Sequence, residues 1–162
     1  MAVWYFAYGS NLDYVQLRSR CPSAQYVCRA ALQDYALAFT RPSIARNCGV
    51  ADVVQKKGSV VWGVIYLMED RDLSALDAAE GYQADRDPAR NAYIRHNSYR
   101  VAAENDSKQT MKVAIYVAVK MPNSPRPSEA YMRQIIDGAK FWKLPLTYIE
   151  ELQRIPTLEE EH

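Results

Sequence analysis

Val3-Trp4-Tyr5-Phe6-Ala7-Tyr8-Gly9-Ser10-Asn11-Leu12 starts as an apolar run and ends in Gly-Ser-Asn. The run reads as a buried strand. Gly9 permits a sharp turn, and Ser10 or Asn11 is placed to cap a helix that follows. Backbone N–H groups would then point into one small volume at a helix N-terminus, which suits a carboxylate, a phosphate or a developing oxyanion. The competing reading is an ordinary strand-to-helix junction, because caps are commoner than anion sites.

Working outward, residues 12–20 place Leu12 and Val15 on one helical face, and Pro22 ends that helix. Residues 26–32 and 35–41 read as strands around a turn at Gln33-Asp34. A loop at 41–49 follows. Val50 to Gln55 and Val60 to Leu67 read as a hairpin across the turn Lys56-Lys57-Gly58-Ser59. Asp70 to Glu80 is helical, with Leu73 and Leu76 on one face and Gly81 as the C′ residue. Tyr93 to Ala103 and Met111 to Val119 form another strand pair. Ser128 caps a helix running to about Phe141, Leu144-Pro145-Leu146 breaks it, and a last helix runs from Tyr148 to Arg154. Strands arriving mostly in consecutive pairs, with few helical crossovers, predict an α+β fold. Its sheet is mixed, mostly antiparallel and of about six strands, and closing it into a small barrel would remove its exposed edges.

The length of 162 residues predicts one domain, over 1–156, with a flexible tail at 157–162. Twenty Lys+Arg against 19 Asp+Glu leave a net charge of +1, which gives no reason to expect nucleic acid or an acidic membrane surface as partner. No apolar stretch approaches the ~20 residues of a membrane span, and no signal peptide is read at the N-terminus. Three cysteines, Cys21, Cys28 and Cys48, lack zinc-type spacing and argue against a disulfide framework. The two histidines are His96 and His162, too few for a histidine-rich metal site. A cytoplasmic, reduced protein without a metal or cofactor is therefore expected. The oligomeric state is left as monomer or homodimer.

Glu80 is the second candidate for chemistry. It sits in Leu76-Asp77-Ala78-Ala79-Glu80-Gly81-Tyr82, where a helix ends. A carboxylate there faces the negative end of the helix dipole, which raises its pKa, as burial would. Such a carboxylate suits proton transfer near neutral pH. The competing reading is a solvated glutamate at a frayed helix end. Tyr82, Tyr93, Tyr116 and Tyr131 each offer a hydroxyl to a polar ligand. His96, in a polar stretch at a strand start, reads as solvated or packed. Arg41, Arg46 and Lys57 read as surface charges, although an arginine of the 41–49 loop is also placed to meet a carboxylate. Cys48 has no evident base beside it.

Tyr8-Gly9-Ser10-Asn11 is followed in order by Cys28-Arg29-Ala30-Ala31-Leu32, Gly49-Val50-Ala51-Asp52, Val61-Trp62-Gly63-Val64-Ile65-Tyr66 and Leu76-Asp77-Ala78-Ala79-Glu80-Gly81. Pro127-Ser128-Glu129-Ala130-Tyr131 and Leu144-Pro145-Leu146-Thr147-Tyr148 close the series. In this order and spacing the set resembles the γ-glutamylcyclotransferase (AIG2-like) family over residues 3–155. The resemblance implies a small mixed β-barrel with flanking helices. It also implies conversion of a γ-glutamyl amino acid or γ-glutamyl amine into 5-oxoproline and free amine. By that resemblance the YGSN turn, Tyr8, Gly9, Ser10 and Asn11 with Leu12, binds the glutamyl part, and Glu80 is the acid/base. A further substrate-touching tyrosine would be Tyr116 or Tyr131. Where the family often carries Gly-Gly-Ala, this chain has Gly49-Val50-Ala51. Glutathione-specific relatives carry a different residue after Tyr-Gly-Ser, which points away from glutathione.

The implied reaction is intramolecular and needs no metal, cofactor or covalent nucleophile. Two alternatives stand beside it: γ-glutamyl removal from a biosynthetic intermediate, and a non-catalytic binding or interaction module on the same fold.

Overall fold

Runs rich in Val, Ile, Tyr and Trp favour the pleated sheet, and here they build a barrel. The computed structural model describes residues 1–160. Strands β1 (Ala2–Ala7), β2 (Gln25–Ser43), β3 (Cys48–Glu69), β4 (Tyr93–Ala103) and β5 (Asp106–Ala118) close in the order β1-β3-β2-β4-β5. β1 runs antiparallel to β3, from Ala2 opposite Glu69 to Ala7 opposite Val64. It meets β5 in parallel at Tyr5 and Ala114, and this contact closes the ring. All other pairings are antiparallel.

Two expected turns do not exist. Gln33-Asp34 and Lys56 to Ser59 lie in mid-strand, so residues 26–32 and 35–41 are one strand, as are 50–55 and 60–67. The expected hairpin of Val50–Gln55 with Val60–Leu67 is therefore absent, and the true hairpin joins β2 to β3 with Ser43 opposite Cys48. The misread residues face each other. The register shifts between Gln33 and Tyr35, Asp34 has a φ of 65°, Gly58 has a φ of 85°, and the Gly58 N–H donates to Asp34 Oδ1 at 3.0 Å. This is a bulge in a long hairpin, and bulges recruit the same left-handed residues as turns.

Helices α1 (Tyr14–Arg20), α2 (Asp70–Ala79), α3 (Glu129–Phe141) and α4 (Leu146–Gln153) flank the barrel. No helix among the described residues is long and apolar enough to cross a membrane. Ser10 to Leu12 form one 3-10 turn, and α1 starts later than expected. Its cap is Asp13, whose carboxylate accepts from the N–H groups of Val15 and Gln16, so neither Ser10 nor Asn11 caps it. Ser128 does cap α3, accepting from the Tyr131 N–H at 3.1 Å. α3 crosses the 3-10 turn closely: a Cβ on Gly138 would lie 2.6 Å from Leu12 Cβ. Residues 157–160, placed by the sequence reading in a flexible tail, touch the start of α3. The Leu158 N–H donates to Pro127 O, and Glu159 Oε2 accepts from the Glu129 N–H. Glu161 and His162 lie outside the described residues.

Candidate active site

The 3-10 turn after β1 and the end of α2 meet at the barrel mouth. An inner chamber of about 40 Å³ lies between them, lined by Tyr5, Tyr8, Gly9, Ser10, Asn11, Ala51, Glu80, Tyr93, Tyr116 and Tyr131. It opens into an outer vestibule of about 350 Å³, with which it shares Ser10, Glu80, Tyr93 and Tyr131. Tyr8, Gly9, Ser10, Asn11, Glu80, Tyr116 and Tyr131 are thus brought together although they span most of the chain. Leu12 is not among them. Its side chain is fully buried beneath α3, and its carbonyl accepts from Trp142 Nε1.

Glu80 ends α2 in a Schellman motif. The Tyr82 N–H donates to Asp77 O and the Gly81 N–H to Ala78 O, with Gly81 at a φ of 66°. Any side chain at Gly81 would be strained, since the left-handed region is costly for L-residues. The motif turns the chain sharply and leaves the Glu80 side chain facing the chamber. Burial is the largest influence on that carboxyl and pushes it up to about 7, while the Arg20 and Arg46 guanidiniums hold it lower than burial alone would. Desolvation therefore does the work that the helix dipole was expected to do.

Asn11 links the two halves. It is 3% exposed and uses its whole amide. Nδ2 donates to Tyr5 Oη at 3.0 Å and to Glu80 Oε1 at 3.3 Å. Oδ1 accepts from Gln16 Nε2 at 3.0 Å and from Arg20 Nη1 at 3.1 Å. These partners fix which way the amide points, so that a donor faces Glu80. Gln16 Nε2 also donates to Ser10 Oγ at 2.9 Å, and Arg46 donates to both Gln16 and Gln134. The Ser10 and Asn11 N–H groups meet no acceptor among the described residues and stand at the free start of the 3-10 turn.

Gly9 does not have the positive φ that would make glycine obligatory; its φ is −115°. A Cβ there would sit 3.4 Å from Ala51 Cβ and 3.8 Å from Tyr131 Oη. That is ordinary contact distance, so a small residue fits, while a branched one would fill the chamber.

Three of the tyrosine hydroxyls donate to protein partners, and a fourth accepts from one. Tyr8 donates to Tyr116 O at 2.6 Å, Tyr93 to Ala51 O, and Tyr116 to Asp77 Oδ1 at 2.6 Å. Tyr131 Oη accepts from the Ala51 N–H at 3.0 Å. Burial pushes all of these phenols above their ordinary range, so they stay neutral. Asp77 also pairs with Arg95 of β4, which ties the end of α2 to the barrel wall.

Tyr5, Arg20 and Gln16 were not anticipated as site residues, and no local pattern marks them, whereas Ala51 belongs to the Gly49-Val50-Ala51 motif. Tyr5 enters only because β1 closes against β5. Arg46 does reach a polar cluster, but its partners are amides and the Tyr131 ring, 4.8 Å away, rather than a carboxylate. Tyr82, His96 and Cys48 line neither cavity. His96 rests against Tyr99, and Cys48 is a buried free thiol.

Comparison with known proteins gives a consistent answer. The AIG2-like family model matches residues 60–152, more than half of the chain. A human protein named gamma-glutamylcyclotransferase is 35% identical over 155 residues, spanning 93% of this chain and 77% of that protein. A mouse protein of the same name is 32% identical over an equal span. A solved structure described as gamma-glutamyl cyclotransferase superposes with a TM-score of 0.87 at 31% identity, covering 100% of this chain and 92% of the other. The chain belongs to the AIG2-like family of γ-glutamylcyclotransferases.

Proposed function

We propose that this chain converts a γ-glutamyl amino acid or γ-glutamyl amine into 5-oxoproline and the free amine, with Glu80 as the acid/base. One observation carries the reading: a donor-poor carboxyl raised to about 7 faces the inner chamber beside backbone N–H groups that meet no acceptor among the described residues.

The substrate's α-amine attacks its own γ-carbonyl carbon. A new C–N bond closes the five-membered ring, and the original amide C–N bond breaks. Nucleophile and electrophile share one molecule, so holding the glutamyl chain curled supplies much of the rate. The inner chamber takes the glutamyl part, bounded by Tyr8, Tyr116 and Tyr131. Glu80 accepts the proton of the attacking amine and then delivers one to the leaving nitrogen. A group with a pKa near the working pH does both tasks well. The Ser10 and Asn11 N–H groups bind the substrate carboxylate or the carbonyl oxygen as it gains charge. Asn11 Nδ2 steadies ionised Glu80 without locking it in that form. The leaving amine departs through the vestibule. The reading includes a cytoplasmic enzyme acting on free small molecules, as a monomer or homodimer.

The test is 5-oxoproline release from a panel of γ-glutamyl dipeptides and γ-glutamyl amines, with Glu80→Gln in parallel. Turnover that disappears in the variant supports the reading. Folded wild-type protein that turns over no member of the panel contradicts it.

A further inference from the structure

Three guanidiniums line the vestibule, those of Arg20, Arg41 and Arg46, and they are not equivalent. Arg20 donates to Asn11, and Arg46 donates to Gln16 and Gln134. Both also lower the Glu80 carboxyl electrostatically. These two belong to the framework of the inner chamber. Arg41 does not. It stands near the end of β2, opposite Val50, and exerts no such influence on Glu80. Its one hydrogen bond runs from Nη1 to the main-chain oxygen of Val119 at 2.9 Å. An arginine has five N–H donors, so this bond fixes the side chain and leaves most of the fork unused. Among the described residues no carboxylate forms an ion pair with it.

Apart from Glu80 itself, the part of the lining at the end of α2 is small and apolar. Ala78, Ala79, Gly81 and Ala92 offer the vestibule no charge and no side-chain donor. Whatever leaves through this space is therefore discriminated from the arginine side. An amino acid released from a γ-glutamyl bond carries its carboxylate two bonds from the departing nitrogen. A simple amine carries none. A fixed, half-buried guanidinium with open donors binds a carboxylate by paired N–H···O contacts.

We infer that Arg41 recognises a carboxylate on the leaving amine and so sets a preference for γ-glutamyl amino acids over γ-glutamyl amines. This inference rests on the cyclotransferase reading above and adds a specificity residue to it. The small residues Ala78, Ala79, Gly81 and Ala92 in the same lining leave the side chain of the leaving amino acid unread.

The experiment compares kcat/KM for γ-glutamyl-alanine and γ-glutamyl-ethylamide, which differ only by that carboxylate. It uses wild-type protein, Arg41→Gln and Arg41→Lys. Wild-type protein is expected to favour γ-glutamyl-alanine by about 10–100-fold, the usual worth of hydrogen bonds to a charged group, chiefly through KM. Arg41→Gln should lose this advantage by slowing γ-glutamyl-alanine alone, with Arg41→Lys between the two. The inference is overturned if wild-type protein treats both substrates alike, or if Arg41→Gln lowers both in equal proportion. The wild-type comparison stands even where a variant folds poorly. Equal, measurable turnover of both substrates removes the role of Arg41 and leaves the function intact. Turnover of neither removes both.

Discussion

Two carboxylates flank the mouth of this barrel, Asp52 in β3 and Glu80 at the end of α2, and they are treated in opposite ways. Asp52 is fully buried and meets three donors: the Val53 N–H at 2.8 Å, the Ala118 N–H at 2.9 Å and the Thr40 hydroxyl at 2.8 Å. Those donors come from β2, β3 and β5, so Asp52 stitches three strands just behind Ala51 of the chamber. Among the described residues Glu80 meets one donor, the Asn11 amide, at 3.3 Å. Burial without donors penalises the charged form, and the Glu80 carboxyl rises to about 7. The number of donors, rather than burial as such, separates a structural tie from a group poised to move protons.

The sharpest way to break this comparison is to exchange each carboxylate for a neutral relative. Glu80→Gln keeps shape and removes the base. We expect kcat to fall by ~10²–10⁴, the usual share of general acid–base catalysis, while the fold is retained by circular dichroism. Activity close to wild type would take Glu80 out of the mechanism. Asp52→Ala should do the reverse in kind. It leaves two N–H groups and a hydroxyl buried without partners, at about 1–3 kcal/mol each, and urea unfolding should register a loss of about 3–5 kcal/mol. A loss under about 1 kcal/mol would mean that Asp52 is not the tie described.

Asn11→Ala removes the one donor of Glu80. The charged form then loses its only hydrogen bond, so the acidic limb of the pH–kcat/KM profile should move to higher pH, with roughly a tenfold drop in the plateau. An unmoved limb would show that the 3.3 Å contact has no influence on the titration.

A further expected effect is thermodynamic. A folded-state pKa of about 7 against an ordinary 4.5 means that folded protein holds more protons than unfolded protein between those values. Wild-type stability therefore falls as pH rises through this window. Glu80→Gln escapes that loss. Its melting temperature should equal wild type near pH 4 and exceed it above pH 7, by an amount that grows across the window. A constant difference at all pH values would contradict a raised pKa.

The Glu80 side of this contrast was legible in the sequence, and the reasons are local. The Gly9-Ser10-Asn11 turn and the Glu80-Gly81 helix end are short-range features, and each declares itself through a glycine beside polar residues. The turns at Gln33-Asp34 and Lys56 to Ser59 misled because Asp34 and Gly58 hold left-handed conformations inside one bulge, which looks like two turns when each strand is read alone. Gly9 misled in the other direction, because its role is to leave room beside Ala51 rather than to adopt a positive φ. Tyr5 went unread as a chamber residue, and Arg20 and Gln16 went unread because they act from behind the chamber, by hydrogen bonds to Asn11 Oδ1. Leu12 follows the motif in sequence yet turns away, since Gly138 makes space for it under α3.

The most direct test of the account is the titration of Glu80 itself, by carboxyl carbon NMR on protein labelled at glutamate, with Glu80→Gln assigning the signal. The account predicts a midpoint of about 7. A midpoint near the ordinary 4.5 would show a solvated carboxylate and contradict the division between Asp52 and Glu80.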